Sequence, residues 1–572
     1  MRGGAAASPS SPPLPRMARP RWLSYAIVAL VAILIFSRFW FGIGDSDFWW
    51  HLKTGQFIWQ NHKLPVPDPF AYTTYLHSDS YPGESLVRYF NLTHEWLAQL
   101  AYYGAYAQAG AAGVAALRAL LLTLTCGTLG LIAWRRTGGF YRSVAVALAA
   151  IACTAVVSSE RPYLFTYFLL PAVIAILEYR RWLWALPPIF LVWANCHGGF
   201  FLGWIVLGAY CAEALAQRWR GAPAADERRL FICAGLSILV SGINPNGFYV
   251  IATLLAYRRS AMQTSILEWL RPKYWEVSTF TVVLYASLAA LLWARRRARV
   301  SDWILYLLFA AAALSAVRNI VLSNLIGLII LATYVPAIDL ARYYSPWMRA
   351  LPVAVGYMAA LLLAGRIAIM PHRSVDSSDW RFSAGAADFL LAHRVTGRLF
   401  NSYEAGGYLI WRLWPQNQVF IDGRALSEAT FADYQRMAYN ADATGGPSAE
   451  ELLRRYKIDV IVTPMIDYAG RVYLLPAALS DPSQQEWKLV FADPRAVIYM
   501  KTPPQGVAPL PPARALNAMD AQCNLMLDQL GDDCAQGVAK LYGKIGDRAR
   551  AAQWMAVYRA HGGSANARVE VR

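Results

Sequence analysis

Apolar runs long enough to cross a bilayer recur along this chain as far as residue 369, and no other feature restricts its fold as strongly. The first is Trp22 to Phe41, preceded by Arg16, Arg19 and Arg21 and followed by Asp45. In hydrocarbon such a segment must satisfy its own backbone hydrogen bonds, so it folds as helix. Further runs lie near 112–134, 143–158, 163–178, 182–195, 199–216, 229–243, 278–294, 301–316, 319–338 and 350–369. They predict an α-helical polytopic membrane domain over 21–370 with about eleven transmembrane helices. Composition agrees: 57% of residues are hydrophobic and only 16% charged, far from the balance of a soluble domain.

The net charge of +17 suggests nucleic acid, but its distribution argues against that partner. Arg135 and Arg136, Arg180 and Arg181, Arg218 and Arg220, Arg295 to Arg297 with Arg299, and Arg342 with Arg349 fall in loops at alternate span ends. This is the positive-inside pattern. It predicts a multi-pass protein of the bacterial inner (cell) membrane, with a cytoplasmic N-terminus and a periplasmic chain after 370. Residues 1–20, rich in Ala, Ser and Pro, read as a disordered cytoplasmic lead. Five of the seven cysteines sit in or beside spans as small apolar packing residues. Cys523 and Cys534, in an oxidising compartment, are placed to close a helical hairpin by a disulfide. Neither a CxxC pair nor HExxH occurs, so structural zinc has little support.

Polar residues sort by side. The outer loops collect Asp, Glu, His, Asn and isolated Arg, the types that do chemistry or hold phosphates. The first of them, 42–111, is much longer than a connection requires. It opens with Gly44-Asp45-Ser46-Asp47, and this pair of carboxylates suits either a divalent cation (Mg or Mn) or general-base work. Solvated interfacial charge is the plain alternative. Phe48, Trp49 and Trp50 follow as an expected interfacial anchor, then His51 and Lys53. His94 and Glu95 open a run suited to a helix lying along the bilayer, which they are able to cap. Later outer turns carry Glu160-Arg161, Asn195-Cys196-His197-Gly198-Gly199, Asn244 to Gly247, Glu268-Trp269 and Arg318-Asn319. An Arg at membrane depth costs about 2.5–3.5 kcal/mol, so Arg161 and Arg318 call for anions, and a lipid-linked phosphate is one. A Glu160–Arg161 ion pair is the bland alternative, and for His197 simple turn packing is.

Over residues 20–370 the chain resembles the integral-membrane glycosyltransferases of the GT-C fold, through its long first outer loop with Asp45 and Asp47 just after the first span. The resemblance implies a sugar donor linked to a polyprenyl phosphate, a first-loop carboxylate as catalytic acid/base, and transfer on the outer face with inversion. Glu160 is the nearest counterpart of a second acidic motif. Asp45, Asp47 and Glu95 are then the catalytic candidates. His51, His94, Glu160, Arg161, His197, Arg318 and Asn319 are the candidate substrate-binding residues, and Asp45 and Asp47 the candidate metal ligands. The acceptor is a glycan, a lipid or a protein. Asn401 to Trp411 is faintly similar to the Trp-Trp-Asp-Tyr-Gly element of oligosaccharyltransferase catalytic subunits, but lacks its paired tryptophans and aspartate. Competing functions are a transporter or flippase of an anionic lipid-linked substrate, and a non-catalytic scaffold.

After Met370 the apolar runs shorten, which predicts a small extracytoplasmic α/β domain over 371–502. Helices are expected at 384–393, 427–439 and 450–456, and strands at 397–400, 418–421, 459–463, 487–491 and 496–500, in a largely parallel sheet with an antiparallel addition. Asp422 and Arg424 follow a strand end, as ligand residues or as a turn-fixing salt bridge. A proline-rich linker and helical tail occupy 503–572, with 516–530 and 538–558 pairing as a hairpin.

Overall fold

Where water is absent a backbone must close its own hydrogen bonds, and each expected span within the described residues is helical. The structure, a computed structural model, describes residues 21–222, 226–264, 266–336, 365, 382–439, 446–530 and 533–561. The lead at 1–20, the span at 350–369 apart from residue 365, and the boundary near 370 lie outside them. The first helices are α1 (Arg21–Arg38), α2 (Phe48–Asn61), α3 (Glu84–Thr93), α4 (Trp96–Thr137), α5 (Phe140–Thr154) and α6 (Tyr163–Tyr179). Then come α7 (Leu186–Cys196), α8 (Phe201–Trp219), α9 (Glu227–Val240), α10 (Val250–Tyr257), α11 (Thr279–Trp293), α12 (Val300–Ser315) and α13 (Ile320–Tyr334).

Among the described residues four helical stretches, Arg21–Arg38, Glu84–Thr137, Gly198–Trp219 and Val317–Tyr334, are long and apolar enough to cross a membrane. Five further apolar helices run 10–17 residues, short of the ~20 that a straight crossing needs. Helix length alone therefore does not reach the expected count of about eleven. The membrane-lying helix expected after His94 is the first part of α4. It ends at Ala109 and Gly110, where a φ of 57° at the glycine breaks the helix before the chain descends. Lipid tails give helices no hydrophobic reason to associate, so close approach at small residues does the work. Gly130 packs on Ser143 and Ala147, and Gly327 on Val283.

Arg136 and Arg299, from two of the arginine clusters, meet at one end of the bundle, and Arg342 and Arg349 lie outside the described residues. Arg136 Nη2 lies 2.8 Å from Glu178 and 3.0 Å from Asp302, and Arg299 Nη1 lies 2.9 Å from Glu178. These groups belong to the ends of α4 and α6 and the start of α12, which the sequence places on one side. The loops carrying Asp45, Arg161, His197 and Glu268 meet at the other end.

There the C-terminal region forms a four-stranded sheet from β1 (Leu399–Asn401), β2 (Val460–Thr463), β3 (Lys488–Ala492) and β4 (Val497–Met500), in the order β1-β2-β4-β3. Only β1 and β2 pair in parallel; β2 with β4 and β4 with β3 are antiparallel. The expected largely parallel sheet is thus corrected. Residues 418–421 stay outside it because the first loop claims their backbone: Val419 N donates to Phe70 O at 3.0 Å and Tyr72 N to Val419 O at 3.3 Å. Phe48, Trp49 and Leu52 share a core with Leu399, Val460 and Ile498, so the first loop and the sheet fold as one body.

Among the described residues the tail is three helices, Ala513–Leu530, Asp533–Lys544 and Arg548–Ala560, rather than a two-helix hairpin. Gly546, at φ 81°, and an Asp547 cap that accepts from Arg550 N make the extra break. Cys523 and Cys534 are disulfide-bonded with Cα atoms 5.8 Å apart. Met519, Val538 and Tyr542 pack in a common core with Phe420, Ile461 and Tyr499, which uses the apolar face that a free contact module would expose.

Candidate functional site

The chain leaving α1 is held from beneath by Arg118 of α4, whose Nε donates to Phe39 O at 3.0 Å and whose Nη2 donates to Phe41 O. Arg118 is sealed in an ion pair with Glu160, and both side chains are excluded from solvent. Glu160, expected as a second acidic motif, therefore faces away from the other candidates and anchors the loop. Its chain neighbour Arg161 does not pair with it.

Arg161 instead crosses to the first loop. Its Nε lies 2.8 Å from Asp45 Oδ2, its Nη2 3.0 Å from Asp47 Oδ2 and its Nη1 2.9 Å from Glu268 Oε1. Asp45 also accepts from Asp47 N at 2.9 Å, a local turn that leads into α2. Asp47 stands at the N-cap position of α2 yet makes no capping bond with its side chain, which leaves its carboxylate to the site. Burial opposes ionisation of Asp45, but the charge and hydrogen bonds of Arg161 outweigh it and hold this carboxyl below its usual range. Burial pushes Asp47 up to about 7 against the pull of Arg161, with Asp45, Glu268 and Asp422 adding repulsion. The two acids are thus distinct: one fixed as an anion, the other poised to exchange a proton.

A second cluster sits beside them. Glu95 precedes α4 without a side-chain cap bond; its carboxylate instead meets His94 Nε2 at 3.2 Å, His51 Nδ1 at 3.5 Å and His197 Nε2 at 3.8 Å. Gly199 N donates to His197 Nδ1 at 3.1 Å, which leaves Nε2 to carry the proton toward Glu95. Burial drives His51 and His197 down to about 3 in spite of Glu95, so both imidazoles are neutral at physiological pH. Glu95, penalised by burial, is nonetheless held low, chiefly by His94. The capping role expected for His94 and Glu95 gives way to this contact set. An apolar groove of about 790 Å³, lined by Trp96, Leu97, Leu191 and Ile243 among others, takes in neither aspartate nor Arg161.

Arg318 stacks over the ring of Trp269 at 4.4 Å and lies near enough to His197 to favour its neutral form. Among the described residues no carboxylate pairs with it. Asn319 donates to Ala312 O at 3.0 Å and so closes the end of α12, outside the site. Phe48, Trp49 and Trp50 are buried, not interfacial. Trp49 packs edge-on to Phe382 and Tyr408, and Lys53 lies over Trp411, so this run is the seam between the first loop and the C-terminal domain.

The C-terminal domain closes the site from above. A Cβ on Gly423 would overlap Asp47 Oδ1, and one on Gly407 would overlap the Ser46 carbonyl. Glycine is what lets this domain touch the acidic loop. Asp422 and Arg424 form the salt bridge alternative in an extended version, for Arg424 Nη1 and Nη2 also clamp Asp68 of the first loop at 2.8 and 3.1 Å. All three side chains are buried.

No family model matches the sequence, and no curated protein matches it. Solved structures do. An oligosaccharyltransferase of Archaeoglobus fulgidus, tethered to an acceptor peptide containing the NVT sequon, aligns over 86% of this chain and 76% of its own at 12% identity, with a TM-score of 0.51. The oligosaccharyltransferase AglB of the same organism, in complex with an inhibitory peptide and a dolichol-phosphate, aligns over 86% and 75% at 13% identity, with a TM-score of 0.52. The chain has the fold of these oligosaccharyltransferases. The GT-C resemblance is borne out at the level of fold, and the apolar helices make this a membrane protein.

Within this fold Glu268 and Asp68 were not among the candidates from sequence. Glu268 stands in a short turn beside Trp269, a weak signal, and Asp68 lies between Pro67 and Pro69, where only its distant partner reveals its use. A divalent cation bridging Asp45 and Asp47 requires oxygens at about 2.0–2.6 Å from it, and the Arg161 guanidinium fills that space. The residues present do not fit the cation, and among the described residues no group of three or more His, Cys, Asp or Glu is arranged to hold one.

Proposed function

We propose that the protein is a membrane glycosyltransferase that moves a sugar from a polyprenyl-phosphate donor to an acceptor on the extracytoplasmic face. The observation that carries this reading is the pairing of an ionised Asp45 with a proton-exchanging Asp47 at Arg161, together with an Arg318 that has no acid partner among the described residues. Asp47 takes the proton of the acceptor's nucleophile, which attacks the anomeric carbon. The bond from that carbon to the phosphate oxygen breaks with inversion, and Arg318 takes up the charge on the departing phosphate. Arg161 is already surrounded by three carboxylates, so Arg318 is the better phosphate ligand. A peptide acceptor is favoured over glycan and lipid, because one neighbour of the same fold carries an acceptor peptide and another an inhibitory peptide with dolichol-phosphate.

Reconstitution with a radiolabelled polyprenyl-phosphate sugar tests the reading; failure to label any peptide, glycan or lipid acceptor overturns it. Arg318→Ala is expected to raise the donor KM about 10- to 100-fold, the equivalent of one or two charge-assisted hydrogen bonds. An unchanged donor KM removes Arg318 from that role. Because Asp47 acts as its anion, kcat/KM is expected to rise about tenfold per pH unit below pH 7 and to level off above it. A profile flat from pH 5 to 8 eliminates Asp47 as the base.

A further inference from the structure

We infer that Arg161 is a built-in replacement for a divalent cation, so that transfer at this site proceeds without metal; this rests on the glycosyltransferase reading above. Two carboxylates of the first loop, Asp45 and Asp47, and one from a distant turn, Glu268, meet around a single cation; carboxylate oxygens are the hard ligands that divalent cations take, and here they are spread around a side chain instead. The cation is a guanidinium whose three nitrogens each face a different acid, at 2.8, 3.0 and 2.9 Å.

The side chain is also fixed at its root. Tyr102 Oη donates to Arg161 O at 2.9 Å, Arg161 N donates to Ser159 O at 2.9 Å, and Pro162 follows. A metal ion entering between Asp45 and Asp47 has to expel a guanidinium that is locked at its backbone and bound on every edge.

The replacement also suits the chemistry. One positive charge among three acids leaves the site negative, which favours uptake by Asp47 of the proton released from an incoming acceptor. A dication would hold Asp47 as a bound carboxylate and deprive the reaction of its base.

Mn²⁺ titration of the purified full-length protein, followed by electron paramagnetic resonance, tests this independently of any sugar substrate. Wild type is expected to hold no Mn²⁺ at this site at millimolar concentration, judged by the absence of any bound signal that Asp45→Asn releases. Arg161→Ala, which uncovers the three acids, is expected to gain one Mn²⁺ per chain, and the Arg161→Ala/Asp47→Asn double variant to lose affinity at least tenfold. Mn²⁺ bound by wild type and released by Asp45→Asn overturns the inference, as does an Arg161→Ala protein that folds and binds none. If Arg161→Ala does not fold, the wild-type titration decides alone. Wild type stripped with EDTA is further expected to transfer sugar at an undiminished rate, and a loss restored by Mn²⁺ overturns the inference. Absence of transfer under every condition counts against the glycosyltransferase reading instead, leaving the Mn²⁺ result to stand.

Discussion

Asp47→Asn is expected to lower sugar transfer about 10²- to 10⁴-fold, the range a positioned general base contributes, while the protein still inserts and folds. The substitution is nearly isosteric. Because the Asp47 side chain caps no helix, α2 loses no hydrogen bond by it. What disappears is the one carboxyl at the site that burial and three neighbouring acids bring into the physiological range. Asp45→Asn acts differently: it removes the anion that holds Arg161 Nε, so the guanidinium is released and both substrate binding and turnover suffer. Transfer rates from a polyprenyl-phosphate sugar separate the two, with Asp47→Asn depressing kcat chiefly and Asp45→Asn changing KM as well. Retained activity in both variants would eliminate the first loop as the catalytic element.

Arg424→Ala is expected to destabilise the body formed by the first loop and the C-terminal sheet by about 3–5 kcal/mol, the cost of leaving buried charge without its partner. Asp68 and Asp422 are both buried against this guanidinium, and Asp68 is the only one of the three contributed by the first loop. Its loss therefore loosens the attachment of the C-terminal domain to the acidic loop as well as the fold of that domain. For a body of this size the change corresponds to a drop in Tm of roughly 6–20 °C. Thermal melts in detergent measure it, and limited proteolysis is expected to separate the C-terminal sheet from the first loop more readily. A Tm within about 1 °C of wild type would show that the buried network is not what joins the two. Arg424→Lys, which keeps charge but cannot reach both acids in a bidentate fork, is expected to fall between.

Much of the architecture is legible residue by residue. The apolar runs become helices because lipid offers the backbone no other way to close its hydrogen bonds, and the arginine-rich loops and the acid-bearing loops do separate to opposite ends. Strands at 399–401, 460–463, 488–492 and 497–500 lie where β-branched and aromatic residues alternate with turns. Other readings fail for definite reasons. Phe48, Trp49 and Trp50 suit a membrane interface and a domain seam equally, since both call for large rings with a polar edge, and only the position of Phe382 and Tyr408 distinguishes them. Residues 418–421 have the composition of a strand and an extended backbone, but the edge available to them belongs to the first loop.

The candidate site divides in the same way. That Asp45, Asp47, His51, Glu95, Arg161, His197 and Arg318 belong to one face follows from span order and charge alone, because hydrophobicity and the side preference of arginine are properties of short segments. Which of them neutralises which does not. Arg161 passes over Glu160, its neighbour in the chain, to bind Asp45 at a separation of 116 residues and Glu268 at 107, and Arg424 finds Asp68 across 356. Coulomb energy depends on distance in space and on the exclusion of water, and neither is encoded in any local stretch. The apolar runs thus decide that this is a membrane protein whose acid-bearing loops share one end, whereas only the folded chain decides that an arginine occupies the place where two aspartates suggest a metal.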